Sequence, residues 1–167
     1  MPTPIQNRIS QSLEQAENLY HRLVLLVGES ESGKTAALRI VAGELGRDVI
    51  NVNLALSAKL IELTERQRIL HLSTLFRGIV EEAGSVAFLD NIEILFDCRL
   101  RQDPLRLLQS VARNRCVVAS WNGAVAGSKL TYAESGHAEY RSYDTTDALI
   151  VNMNESPGLD AQERQRA

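Results

Sequence analysis

Five short apolar runs divide the chain: Leu23–Val27, Val49–Val52, Val86–Leu89, Cys116–Ala119 and Ala148–Val151. Each is too short for a helix and too continuous for a strand with one wet face, so each reads as a strand covered on both sides. The segments between them carry a helical period instead. Leu38, Val41, Ala42 and Leu45 share one face of a helix over Lys34–Leu45, and Gly46 stops it. Thr64-Glu65-Arg66-Gln67 is a capping box, opening a helix through Ile69, Leu72, Leu75, Phe76, Ile79 and Val80 to Gly84. Asp103-Pro104 opens another with Leu105, Leu108, Val111 and Ala112 inward, and Ser57–Leu63 reads as a short helix. Ahead of the first strand, Thr3 caps, Pro4 fits the first helical position and Gln6 completes a second capping box. Ile5, Ile9, Leu13, Ala16 and Leu19 then form a stripe that packs on the domain.

Buried strands alternating with helices predict an α/β fold with a parallel sheet and right-handed crossovers. The expected arrangement is a P-loop domain of five parallel strands in the order 5-1-4-3-2, the additional-strand type, with helices on both faces. The segment after the fourth strand, NGAVAGSKLTYAESGHAEYRSYDTTD, reads as loop, with Asn122-Gly123 as a turn pair. The expected organisation is an N-terminal helix over residues 1–20, the domain over 21–153, and a polar tail over 154–167. The expected domain carries no helical lid.

Composition narrows the picture only slightly. The chain has 167 residues and 18.5 kDa, with 44% hydrophobic, 23% charged and 5% aromatic residues, so the core is mostly aliphatic. A formal net charge of -3 gives no global pull toward nucleic acid or an anionic membrane. The opening MPTPIQNRIS lacks the pattern of a signal peptide, and no apolar stretch has the length of a membrane span. Cys98 and Cys116 lack metal-site spacing and read as reduced thiols, so the expected location is cytoplasmic.

The chemistry begins at Gly28-Glu29-Ser30-Glu31-Ser32-Gly33-Lys34-Thr35, followed by Ala36. Every fixed position of a phosphate loop is present, between a buried strand and a helix, the context the motif demands. Glycines let the backbone turn its N–H groups inward, and the helix adds its own unpaired N–H groups. Lys34 reaches β- and γ-phosphates, and the Thr35 hydroxyl binds Mg²⁺. The expected ligands are ATP and Mg²⁺, with Glu29 and Glu31 turned to solvent.

Asp90 ends the third strand at its carboxyl edge, where ligands bind in an open α/β sheet, and is the expected second metal-side group. Asn91 follows it, where fast ATPases place a glutamate; Asn orients water but cannot act as a base. Glu93 is the nearest carboxylate, either the base or a solvated helix-start residue. In the expected strand order Asn122 stands beside the γ-phosphate, where it contacts the phosphate or positions water. Arg141 is the candidate for an arginine offered to a neighbouring subunit. Arg113 and Arg115 suit a helix C-terminus, and His137 reads as a polar loop residue. Arg99/Arg101 and Arg113/Arg115 are the two local basic clusters.

LYHRLVLLVGESESGKTAALR, INVNLALSAKLIELTERQR, FLDNIEILFD, QDPLRLLQSVARNR, VVASWNG and LTYAESGHAEYRSY together resemble the BrxF family. These are small P-loop proteins of type 3 BREX phage-exclusion systems. The resemblance spans nearly the whole chain. It implies a bacterial cytoplasmic NTPase working with other BREX components, among them a DNA methyltransferase and a phosphatase-like protein, that tell self from phage DNA. It carries ATP contacts onto Gly28 to Thr35 and the metal-side acid onto Asp90.

The leading expectation is therefore a self-associating, Mg-dependent ATPase coupled to a defence assembly, with DNA contacted directly or through partners. A non-hydrolysing nucleotide switch or scaffold is kept open by Asn91. A small-molecule kinase is disfavoured because Asn51-Val52-Asn53 supplies no carboxylate to deprotonate an acceptor hydroxyl.

Overall fold

In the computed structural model, which describes residues 3–29, 31–133, 138–144 and 147–153, both capping boxes form. The Thr3 hydroxyl accepts the Gln6 N–H while the Gln6 side chain accepts the Thr3 N–H, opening α1 (Pro4–Ala16). Strand β1 (Leu23–Gly28) is buried along its whole length and leads into α2 (Lys34–Glu44). Strand β2 (Val49–Asn51) passes directly into α3 (Val52–Leu60), because the Asn51 side chain accepts the Leu54 N–H as a cap. The short helix therefore starts earlier than the Ser57 that periodicity suggests. Helix α4 (Glu65–Glu81) precedes β3 (Val86–Asp90), two 3₁₀ turns (Glu93–Phe96 and Cys98–Leu100) follow, and α5 (Pro104–Val111) comes next.

The five parallel strands lie in the order β2-β3-β4-β1-β7, with β4 over Cys116–Ala126 and β7 over Leu149–Asn152. Counting only the parallel strands, this is the expected 5-1-4-3-2. Strand alternation assigns the two faces. Leu23, Leu25 and Val27 of β1, with Ala87, Leu89, Val117, Ala119 and Trp121, face α3, α4 and α5. Val24 and Leu26, with Phe88, Val118 and Val151, face Ile9 and Ala16 of α1 and Leu38, Val41 and Ala42 of α2.

Beyond the sheet the chain departs from the expected loop. β4 continues past Asn122 and pairs antiparallel with β5 (Lys129–Tyr132), which pairs with β6 (Arg141–Tyr143). Asn122 and Gly123 are thus strand residues, not a turn. Gly123 has a different reason to be glycine: a Cβ there would lie 1.9 Å from the Thr131 carbonyl oxygen. The hairpin is fastened by aromatics. Phe96 stacks on Tyr132, and Trp121 sits edge-on to Phe96 at 5.1 Å and to Tyr143 at 6.0 Å between ring centres. The Trp121 indole N–H donates to the Thr131 carbonyl at 3.0 Å. Tyr143 donates to the Asp103 carboxylate at 2.9 Å. No helix among the described residues is long and apolar enough to cross a membrane.

Candidate functional site

The carboxyl ends of β1, β3 and β4 converge on a cleft of about 470 Å³. It is lined by the loop residues Glu31, Gly33, Lys34, Thr35 and Ala36, by Asp90, Asn91 and Glu93 after β3, by Asn122 of β4, and by Arg39. Gly33 adopts a left-handed φ of 95° as it opens α2, and Glu31 stands at a left-handed φ of 65°, so the loop curls tightly. Gly28 is tightly enclosed: a Cβ would sit 2.6 Å from the Ser32 hydroxyl and 3.0 Å from the Met153 Cβ, so both neighbours would have to shift. Glu29 and Glu31 are exposed, whereas Ser30 lies outside the described residues, as do His137 and the segment 154–167.

Lys34 is only 5% exposed and folds back along its own loop. Its ammonium donates to the carbonyls of Gly28 at 2.9 Å and Glu29 at 2.5 Å and to the Ser32 hydroxyl at 3.2 Å. Burial pulls its pKa below the ordinary lysine value, opposed by the neighbouring carboxylates of Asp90, Glu93 and Glu29.

Asp90 is 7% exposed and accepts two hydroxyls, Thr35 Oγ1 at 2.7 Å and Ser120 Oγ at 2.6 Å, one on each carboxylate oxygen. Both bonds are short, as hydroxyl donors to a carboxylate are. The chain then reverses at Asn91, whose φ of 52° is left-handed, a conformation Asn tolerates better than Glu does. That reversal brings Glu93 back over the cleft. Its two oxygens accept the side-chain amides of Asn53 at 2.9 Å and Asn122 at 2.6 Å. The Asn53 side-chain oxygen in turn accepts the Ile94 N–H at 2.7 Å, and its backbone N–H donates to the Asn91 carbonyl at 2.8 Å.

Residues 24–115, more than half of the chain, match the ATPase family associated with various cellular activities (AAA). The chain belongs to the AAA family. No curated protein matches its sequence. Among solved structures, AMPPCP-bound DnaA from Aquifex aeolicus is 14% identical, with 100% of this chain and 53% of that one covered and a TM-score of 0.47. PCH-2 from C. elegans is also 14% identical, with 97% and 47% covered and a TM-score of 0.46. The chain thus spans about half the length of these two proteins.

Membership of the AAA family implies ATP binding. The structure gathers Lys34, Thr35, Ala36, Asp90, Glu93 and Asn122 in one cleft. Arg141 is set apart from it, on β6, where its Nη2 donates to the Gln102 carbonyl at 3.0 Å. Three contributors escape a reading of sequence alone. Arg39 stands four residues after Thr35 on α2, the same helical face, and that spacing could have revealed it. Ser120 lies two residues before Asn122 on β4, so strand alternation puts both side chains on one face. Asn53 follows the end of β2, and only the strand order places it beside Glu93.

Thr35 and Asp90 supply hard oxygen donors side by side at the mouth of the loop. Mg²⁺ usually takes one or two protein ligands and completes its shell with phosphate and water oxygens, so this pair fits it.

Proposed function

We propose that this AAA domain is a Mg-dependent ATPase in which Glu93 is the general base. The observation that carries the reading is the position of Glu93, held over the phosphate-loop cleft by Asn53 and Asn122. In this reading Lys34 exchanges its loop carbonyls for β- and γ-phosphate oxygens, and the loop N–H groups hold the remaining charge. Thr35 and Asp90 would hold Mg²⁺, which supplies neutralisation of charge developing on the phosphates. Ser120 fixes the Asp90 carboxylate, and Asn122 orients both Glu93 and the attacking water. Glu93 takes a proton from that water as its oxygen bonds to the γ-phosphorus. The bond from the γ-phosphorus to its bridging oxygen breaks, releasing ADP and phosphate.

Arg141 is assigned to a neighbouring copy's cleft, with a homo-oligomer as the working assembly. The extended sequence resemblance to the BrxF family supports a cytoplasmic role in a BREX anti-phage system, coupling nucleotide state to its other components and to DNA. The test is phosphate release by purified protein with Mg-ATP, with ATP binding followed in parallel by calorimetry. Lys34→Ala is expected to abolish both. Glu93→Gln is expected to retain binding and stop release. A second reading, a nucleotide switch without turnover, draws on the two amides engaging Glu93; tight ATP binding with no product would establish it and end the ATPase assignment.

A further inference from the structure

Two arginines have their charge paired locally. Arg99, one half of a basic cluster singled out in the sequence, is paired with Asp97 at 2.9 Å, and Arg106 lies 3.8 Å from Asp103. The other cluster is different. Arg113 and Arg115, on the turn between α5 and β4, are joined by Arg77 of α4 around a cleft of about 470 Å³. Among the described residues none of the three forms an ion pair. Glu81 is the one carboxylate lining the cleft and Val111 the one apolar side chain.

Two of these guanidinium groups are held in place by contacts other than ion pairs. Arg113 lies over the Tyr20 ring with its Cζ 4.5 Å from the ring centre, a contact that leaves its charge without a carboxylate partner among the described residues. Arg115 donates one Nη1 hydrogen to the Gly84 carbonyl at 3.1 Å, beyond the C-terminus of α4, and keeps its other N–H groups. Arg77 is exposed. Three fixed or available planar donors around one polar cleft match phosphate oxygens, which guanidinium groups bind two at a time. The cleft lies at the amino end of β4, whereas Asn122 is at the nucleotide end. Seven residue steps separate Arg115 from Asn122, about 23 Å at ~3.3 Å each, so both sites can be filled together.

We propose that this arginine cleft binds the phosphodiester backbone of a nucleic acid. A lone phosphate gains little from exposed guanidinium groups in water. A polymer with a charge at every step gains more, because each neutralised phosphate releases condensed counterions. An acidic peptide would need an apolar anchor, and Val111 alone provides none of consequence.

The experiment is fluorescence anisotropy of a labelled mixed-sequence DNA duplex with the full chain, without nucleotide, across a salt series. Three neutralised phosphates predict a log–log salt slope of about −2 to −3. The Arg77→Ala/Arg113→Ala variant should weaken binding at least about tenfold and flatten the slope by about two. Its ATP hydrolysis should match wild type, and Arg99→Ala/Arg101→Ala should bind like wild type. Arg77→Glu, at an exposed position, provides an independent variant should loss of the Tyr20 stack disturb folding. Absence of duplex binding would overturn the proposal, as would binding unchanged in the cleft variants. Tripolyphosphate competing as well as the duplex, per phosphate, would also overturn it in favour of a small-anion site.

Discussion

Ser120, Trp121 and Asn122 are consecutive on one strand and belong to two different regions. Ser120 and Asn122 point toward the phosphate-loop cleft, holding Asp90 and Glu93 through hydrogen bonds of 2.6 Å each. Trp121, between them, points to the other face and anchors the aromatic group of Phe96, Tyr132 and Tyr143. The same division recurs after β3, where Glu93 enters the cleft and Phe96, one 3₁₀ turn on, enters the core. Polar reactivity and apolar stability are thus separated by the period of the strand rather than by distance. The polar side is held by two sets of hydrogen bonds, Thr35–Asp90–Ser120 and Asn53–Glu93–Asn122. The aromatic side buries large area and contributes most of the local free energy.

That separation can be broken or sharpened in graded steps. The largest effect is expected from Glu93→Gln, which should slow ATP hydrolysis about 10²- to 10⁴-fold, the usual contribution of a general base, with unfolding in urea almost unchanged. A large stability loss in this variant would merge the two regions into one. Trp121→Ala should do the reverse, costing about 3–5 kcal/mol in urea unfolding while hydrolysis per folded molecule changes little. A collapse of hydrolysis in molecules shown to be folded would refute the division from the other side.

A pH series reaches the aromatic region through its tyrosines. Burial pushes the Tyr132 hydroxyl up to about 12, with Glu93 and Glu139 adding to the effect. Burial also raises Tyr143, and its hydrogen bond to Asp103 raises it further. Both folded values lie above the unfolded value near ~10, so their stabilisation is complete below about pH 10. It is lost as pH rises from there through the folded values, at about 1.4 kcal/mol per pH unit for each tyrosine. Unfolding free energies measured from pH 9 upward should show this decline, with Tyr132→Phe reducing its slope. The smallest effect is expected from Tyr143→Phe, about 1 kcal/mol of stability for the lost hydrogen bond to Asp103, measured by thermal melting at neutral pH.

The parallel sheet was legible because its strands are continuous apolar runs and its helices carry a clear period, both local signals. The phosphate loop and Asp90 were legible for the same reason, one as a motif and the other as a strand end. The hairpin was not. Its strands are short and mixed in character, and Asn-Gly carries a strong turn signal. What overrides that signal is the approach of the Thr131 backbone to Gly123, a contact between residues eight apart that no local pattern announces. Asn53 and Ser120 were illegible for a related reason: each matters only through a partner 30 or more positions away, Glu93 or Asp90.

The folded-back ammonium of Lys34 has a kinetic corollary. In the proposed function its three acceptors are exchanged for phosphate oxygens, so the net affinity reflects an exchange of partners rather than the gain of unmet ones. Nucleotide capture should then proceed in two observable phases, a fast encounter followed by a rearrangement whose rate levels off at high ATP. Ser32→Ala, by removing one acceptor, should speed the second phase.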